Sequence, residues 1–355
     1  MQNKVLPFFL LLFLSFFLVN WGYTGHKTIN GKSTLSFPAS MRGFGIWTDS
    51  LSINGTNADY RKSSDSTESA KHFIDIDSYN EFKSTGRIAS TYDSVVALHG
   101  ETWVINKGIL PWATINAYKT LKDAFGQRQW HTAMLVASDL GHYVGDGHMP
   151  LHLSSNYDGQ LTGQRGLHSR YETKMVSNYI PQLSNYGGEP IHFVDNVTNY
   201  VFKYIYLNTH YIDSLLEADL YARKLAGNTT DSIYYSALWS KTKFTTTLFY
   251  NASNALSELI YSAWVEAGSP DYGSKTTLST VHELQVVVYP NPTNGIVNLV
   301  GNKANLSELR DRTGKLIGIY NGNKFDISNL HSGMYILNII GENGFSKKQK
   351  ILLTE

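Results

Sequence analysis

The hydrophobic period of this chain changes once, near residue 270, and that change dictates two architectures in series. From Trp21 to about Gly268 apolar residues recur at helical spacing, as in Tyr118–Leu121–Phe125, Met134 to Tyr143, Tyr200 to Tyr206, Leu215 to Leu225 and Ala255 to Ala267. Ser269-Pro270-Asp271-Tyr272-Gly273-Ser274 and the Ser/Thr-rich stretch after it have the composition of a linker, placed at 269–284. Beyond it the period is two, in Val286 to Tyr289, Ile296 to Leu299, Leu316 to Tyr320 and Tyr335 to Ile339, with Asn294-Gly295, Thr313-Gly314 and Ser332-Gly333 as turns between them. The pattern predicts a mainly α-helical domain over 21–268 and a small all-β sandwich over 285–355. A length of 355 residues agrees with about two domains, and 42% hydrophobic against 17% charged residues excludes wholesale disorder.

Residues 1–20 read as an export signal peptide. Lys4 supplies a small positive start, and Phe8 to Val19 is apolar except for Ser15. That run is shorter than the ~20 residues a membrane span needs. With 30 Lys+Arg against 29 Asp+Glu the net charge is +1, which argues against a protein that coats a polyanion. The chain has no cysteine, so disulfides, thiolate zinc sites, iron–sulfur clusters and cysteine nucleophiles are excluded together. Any metal must be held by nitrogen and oxygen, for which 12 His and the acidic residues are available.

One stretch concentrates such groups. In Gly141-His142-Tyr143-Val144-Gly145-Asp146-Gly147-His148-Met149-Pro150-Leu151-His152, His142 and Asp146 stand at i and i+4 and share a helical face. Pro150 ends the helix and lets His152 point elsewhere. His168-Ser169-Arg170-Tyr171-Glu172 repeats the imidazole–carboxylate spacing. A single His–x3–Asp pair is usually a surface hydrogen bond; two pairs with His152 between them favour metal binding. His148 lies on a different face and is left out. Upstream, His72-Phe73-Ile74-Asp75-Ile76-Asp77 alternates like an exposed strand, Asn57-Ala58-Asp59-Tyr60-Arg61 reads as a loop with a free carboxylate, and cleavage before Trp21 would place a free amine five residues from His26.

In order, Trp–x4–His, Ala-Asp-Tyr, His-Phe-x-Asp, His–x3–Asp–x5–His and His–x3–Glu resemble the tri-zinc phosphodiesterases, the superfamily of bacterial zinc-dependent phospholipase C and the S1/P1 nucleases. The resemblance covers Trp21 to Gly268 and implies a mainly helical globule with up to three zinc ions in a cleft. It implies that Asp59, His72 and His142 hold one zinc, with Asp146 bridging to a second that also takes the Trp21 amine and carbonyl and His26. It implies that His152, His168 and Glu172 hold the third. The same resemblance implies a hydrolase of phosphoric esters in which metal-acidified water would attack phosphorus and Asp59 would orient or deprotonate that water. Arg61 and Arg165, close in sequence to ligand positions, are the candidate cations for neutralising phosphoryl charge.

Two branches of the superfamily divide the substrate features. Glu172, the run Leu167-His168-Ser169-Arg170-Tyr171-Glu172, and Tyr60 at the position of a choline-contacting aromatic resemble the lipase, although Thr24 and Ser69 replace other members of its choline cage. The short Trp21–His26 spacing, with Phe73 and Asp75 where a base would stack and pair, resembles the S1/P1 single-strand nucleases and 3'-nucleotidases. The reading is a phospholipase C-like enzyme, with the nuclease as alternative and a non-catalytic, zinc-stabilised binding module as a second. The third metal group offers three protein ligands where structural zinc usually has four, which favours catalysis.

The C-terminal segment carries a separate resemblance. Tyr289-Pro290-Asn291-Pro292 opening a β-domain, then Arg312-Thr313-Gly314-Lys315, then Leu330-His331-Ser332-Gly333-Met334-Tyr335 resemble the sorting domain of the type IX (Por) secretion system, which implies a secreted or cell-surface protein of a Bacteroidetes-type bacterium. The partners expected are a phospholipid or nucleic-acid phosphodiester and the type IX machinery, with no obligate protein partner.

Overall fold

Thirteen α-helices precede seven β-strands in the computed structural model, which describes residues 22–272, 286–301, 304–341 and 346–354. The signal-peptide stretch, Trp21 and most of the linker lie outside the described residues. The helices are α1 (Gly22–Ser33), α2 (Thr48–Asn54), α3 (Asn57–Arg61), α4 (Asn80–Thr85), α5 (Tyr92–His99), α6 (Glu101–Asn106), α7 (Leu110–Gly126), α8 (Trp130–Gly147), α9 (Val176–Leu183), α10 (Val197–Thr209), α11 (Tyr211–Ala226), α12 (Ser232–Lys241) and α13 (Phe244–Glu266). None of them is long and apolar enough to cross a membrane.

Local chemistry sets several of these boundaries. Pro111 occupies the first turn of α7, where its missing N–H costs nothing. The side chains of Asn196 and Asp231 accept from the backbone N–H of Asn199 and Tyr234, capping α10 and α12. The core is built where α1, α7, α8 and α13 meet, from residues such as Ile29, Leu121, Phe125, Leu140, Val144, Leu256 and Ile260, all at most 1% exposed. A second apolar cluster joins Ile74, Ile76 and Tyr79 to Trp112, Tyr143, Phe202 and Tyr204.

Helix α8 runs through the centre, and every residue from Leu140 to Gly147 is buried. Close approach of α1 demands glycine there. A Cβ on Gly141 would sit 1.9 Å from Asn30 Oδ1, and one on Gly145 would sit 2.7 Å from His26 Nδ1. After α8 a 3₁₀ turn begins at Pro150 and carries His152.

The structure corrects two local readings. His72 to Asp77 is not an exposed strand: it joins two 3₁₀ turns, Ser69–His72 and Ile76–Ser78, and buries His72, Ile74 and Ile76. Its extended middle pairs with no strand: Ile74 N–H donates to His152 O in the 3₁₀ turn that begins at Pro150, at 2.8 Å, and Asp75 N–H to Lys107 O at the end of α6, at 2.7 Å. Asn57 to Arg61, read as a loop, is the short helix α3.

The strands are β1 (Val286–Tyr289), β2 (Ile296–Gly301), β3 (Ala304–Asp311), β4 (Leu316–Asn321), β5 (Lys324–Asp326), β6 (Gly333–Gly341) and β7 (Ser346–Leu353). They form two antiparallel sheets, β1-β2-β5 and β4-β3-β6-β7, which share a core of Val286, Val288, Val297, Leu299, Leu309, Leu337, Ile339 and Ile351. The expected order, helical then β-sandwich, is the observed one. The sandwich rests on the helical body through a buried polar contact. Arg310, 5% exposed, donates to Asn54 Oδ1 and, at 3.3 Å, to both Asn57 Oδ1 and Glu308 Oε2; His131 Nε2 lies 3.6 Å from Glu308 Oε1. The Tyr23 hydroxyl donates to Thr313 O.

Candidate metal centre

Four chain segments converge beneath the last turn of α8. His26 comes from α1, Asp59 from α3, His72 from the end of a 3₁₀ turn, and His142 and Asp146 from α8. Asp146 is at the middle. Its Oδ1 lies 3.3 Å from His26 Nε2 and 3.5 Å from His152 Nδ1, and its Oδ2 lies 3.1 Å from His72 Nδ1 and 3.4 Å from His142 Nε2. Asp59 Oδ1 lies 3.7 Å from both His72 Nδ1 and His142 Nε2. Beside this group, His152 Nε2 lies 3.2 Å from Glu172 Oε1, and His168 Nε2 contacts Glu172 Oε2. His168 and Glu172 reach the site from the start of a π-helical turn over Ser169–Met175.

Donor atoms thus gather in three groups: His26 with His142 and Asp146; Asp59 with His72 and His142; and His152 with His168 and Glu172. Within each group they lie within 4.8 Å of one another. The chemistry of the donor set fits zinc. Zinc–nitrogen and zinc–oxygen bonds of about 2.0–2.1 Å in a tetrahedron put neighbouring ligand atoms about 3.3 Å apart. The separations of 3.1–3.7 Å around Asp146 and Asp59 bracket that value. Both oxygens of Asp146, a residue 1% exposed, lack a hydrogen bond of normal geometry, a costly condition for a buried carboxylate unless a cation meets it.

Backbone carbonyls orient three of the imidazoles. His142 Nδ1 faces Gly55 O at 2.8 Å, His152 Nδ1 faces His72 O at 2.5 Å, and His168 Nδ1 faces Tyr157 O at 3.1 Å, so each ring turns Nε2 toward its group. Electrostatics keep the acids ionised. Burial alone would raise the Asp146 carboxyl, but His152 and His142 hold it well below the usual carboxylate range. Burial likewise opposes ionisation of Asp59, and His142, Lys62 and His72 outweigh it, with Lys62 Nζ 2.8 Å from Asp59 Oδ1. Burial drives the His26 imidazole toward its neutral, ligating form.

The remaining sequence candidates fall outside this cluster. Tyr60 is half-buried and borders a crevice of about 460 Å³ between the helical body and the sandwich, shared with Leu135, Lys315 and Ile317. Phe73 packs over Gly108, and Asp75 pairs with Lys107 at 3.4 Å. Arg61 turns away from the donor groups toward Asp139 at 3.0 Å and Glu68 at 3.3 Å, which assigns it a structural ion pair; Arg165 is exposed on the loop before His168. His148, buried and stacked on Tyr204, donates from Nδ1 to Val144 O. Two residues near the site went unread in the sequence. Lys62 pairs with Asp59, and Glu68 lies behind His72 with the same i,i+4 spacing that marked His142/Asp146 and His168/Glu172.

Residues 287–354 match the family model described as the secretion system C-terminal sorting domain. No match to the sequence is found among curated proteins. Among solved structures, the chain is similar to the alpha toxin of Clostridium absonum, at 12% identity and a TM-score of 0.44 over 93% of this chain and 95% of that one. It is also similar to the alpha-toxin of an avian strain of Clostridium perfringens, at 12% identity and a TM-score of 0.46 over 94% of this chain and 98% of that one.

Proposed function

We propose that residues 21–268 form a zinc-dependent phosphodiesterase of the phospholipase C type, exported to the cell surface or medium by a type IX secretion system that reads the C-terminal domain. The observation that carries this reading is the convergence on Asp146 of imidazoles from three chain segments, with both of its oxygens left without a normal hydrogen bond. His26, Asp59, His72, His142 and Asp146 would hold two ions, with the Trp21 amine and carbonyl completing the second, and His152, His168 and Glu172 would hold a third. Zinc in those positions supplies Lewis-acid charge and acidifies water. Asp59, held ionised with its side chain 12% exposed, accepts a hydrogen bond from a water molecule and aims it at phosphorus. Lys62 fixes the rotamer of that carboxylate. The lipase preference rests on Glu172 and on the run Leu167 to Glu172.

The test is hydrolysis by the purified full-length protein, with and without chelator, of phosphatidylcholine, phosphatidylethanolamine and single-stranded DNA or RNA side by side. Diacylglycerol release that stops on chelation and returns with zinc is the expected result. Nucleotide release with the lipids intact would move the protein to the nuclease branch. Zinc binding with no hydrolysis of any substrate would leave a binding module.

A further inference from the structure

His72 is mounted the other way round from the imidazoles held by carbonyls. Its Nδ1 faces inward, 3.1 Å from Asp146 Oδ2 and 2.9 Å from His142 Nε2, and its Nε2 faces outward. A neutral imidazole that offers Nδ1 to a metal ion carries its one hydrogen on Nε2. That buried nitrogen makes no hydrogen bond of normal geometry, and the acceptor beside it is Glu68 Oε1, at 3.5 Å.

Glu68 is 1% exposed and held from several sides. Its Oε1 accepts from the Tyr143 hydroxyl at 2.6 Å and from Arg61 Nη2 at 3.3 Å, and its Oε2 accepts from Lys71 Nζ at 2.8 Å and Arg61 Nε at 3.4 Å. These contacts fix the carboxylate in place. Arg61 and Lys71 also supply the counter-charge that lets an acid remain ionised at this depth. A carboxylate fixed behind an imidazole sets its tautomer and ring orientation, and makes its other nitrogen a better metal ligand.

We propose that Glu68 is a positioning residue of the metal centre, accepting the Nε2 hydrogen of His72 so that Nδ1 is the atom offered to the ion. The assignment rests on the metal-centre reading, but it concerns binding of the ion and can be read without any substrate. The competing role is that of an anchor for Arg61, Lys71 and Tyr143 with no influence on His72.

The experiment measures zinc stoichiometry and affinity by competition with a chromophoric chelator, and the visible absorption of the cobalt-loaded protein, for the full chain and for E68Q and Y143F. Glu68→Gln keeps the shape and removes the charge. Tyr143→Phe removes a neighbour of Glu68 and leaves the carboxylate facing His72. The expected result is a loss of roughly 10- to 100-fold in affinity for one ion in E68Q, with the remaining ions bound as before and the cobalt spectrum altered. Y143F should lower the melting temperature while keeping wild-type affinity and spectrum. If E68Q does not fold, Glu68→Asp draws the carboxylate back with its charge intact and carries the same readout. Wild-type affinity and spectrum in E68Q, with only its melting temperature lowered, would reduce Glu68 to an anchor and overturn the proposal. Failure of the wild-type chain to bind zinc at all is a different result, and it removes the metal-centre reading itself.

Discussion

Asp146 Oδ2 lies 3.1 Å from His72 Nδ1, although the two residues come from different segments and neither belongs to the other's helix. The same carboxylate reaches His26 through its other oxygen, so one side chain on α8 joins two of the three donor groups. Asp146→Asn should therefore disturb both groups at once. Elemental analysis of the purified variant should show at least one zinc fewer than wild type, with hydrolysis reduced by roughly 10²-fold or more. Full zinc content in D146N would show that Asp146 does not bridge.

Removing the metal should loosen the fold. Without a cation, the buried oxygens of Asp146 and the outer Oε2 of Glu172 are left without normal hydrogen bonds. Ligand bound only to the native state adds about 2.7 kcal/mol at a concentration one hundred times its Kd. Chelator should lower the melting temperature by several degrees and zinc should restore it, as followed by calorimetry. An unchanged melting temperature would mean that the site is empty in the purified protein.

Gly145→Ala tests the close approach of α1 to α8. The added Cβ, 2.7 Å from His26 Nδ1, has to push that ring or the helix that carries it. We expect destabilisation of about 1–3 kcal/mol in urea titrations, together with loss of one zinc equivalent, because His26 is the group displaced. Loss of stability at full zinc content would show that α1 shifts as a whole and His26 stays in register.

His148 gives the protein an acid sensitivity of its own. Burial pushes its imidazole down to about 4, from an ordinary value of 6.5. Because the folded value lies below the unfolded one, the contribution is fully present above pH 6.5 and is lost as the pH falls toward 4. Over that window unfolding should become easier by about 3 kcal/mol. His148→Phe keeps an aromatic ring against Tyr204 and carries no titrating nitrogen, so its stability should vary less with pH between 6.5 and 4. An identical slope in wild type and H148F would assign the effect to another group.

Arg310→Ala tests how the sandwich is seated. The change leaves Asn54 and Asn57 without the guanidinium and Glu308, 2% exposed, without its positive neighbour. Breaking a buried pair from one side costs roughly 3–5 kcal/mol. The two parts should separate, seen as a larger radius of gyration in X-ray scattering and faster proteolysis between residues 269 and 285. Scattering identical to wild type would mean that the remaining contacts suffice.

The sequence was readable where burial follows a simple period. The runs Tyr118–Phe125 and Met134–Tyr143 fall inside α7 and α8, and Ala255–Ala267 overruns the end of α13 by one residue, because each of those helices buries a continuous stripe. Strand β7 was not legible: Ser346-Lys347-Lys348-Gln349-Lys350 places lysines on a strand at the edge of its sheet, where charge blunts further pairing. Strand β3 was hidden for the opposite reason, since its buried positions include the polar Ser307, Glu308 and Arg310, the last two turned to the contact with the helical body. In the metal centre the i,i+4 pairs pointed to His142, Asp146, His168 and Glu172, and the structure gathers them with His26, Asp59, His72 and His152. Glu68 was passed over because the stretch that begins at His72 alternates like an exposed strand, and the 3₁₀ turn over Ser69–His72 that brings the two together leaves no helical period in the sequence.

The donor groups join His26, near the start of the described chain, to Glu172, more than a hundred residues later. In a protein with no cysteine, ions bound there would act as cross-links that close long loops, the role disulfides fill in many exported proteins. A cross-link of that kind is indifferent to thiol redox potential and answers to free metal instead. If the proposed centre binds zinc, the stability of this fold would follow the supply of free zinc and would not change with the thiol redox state around it.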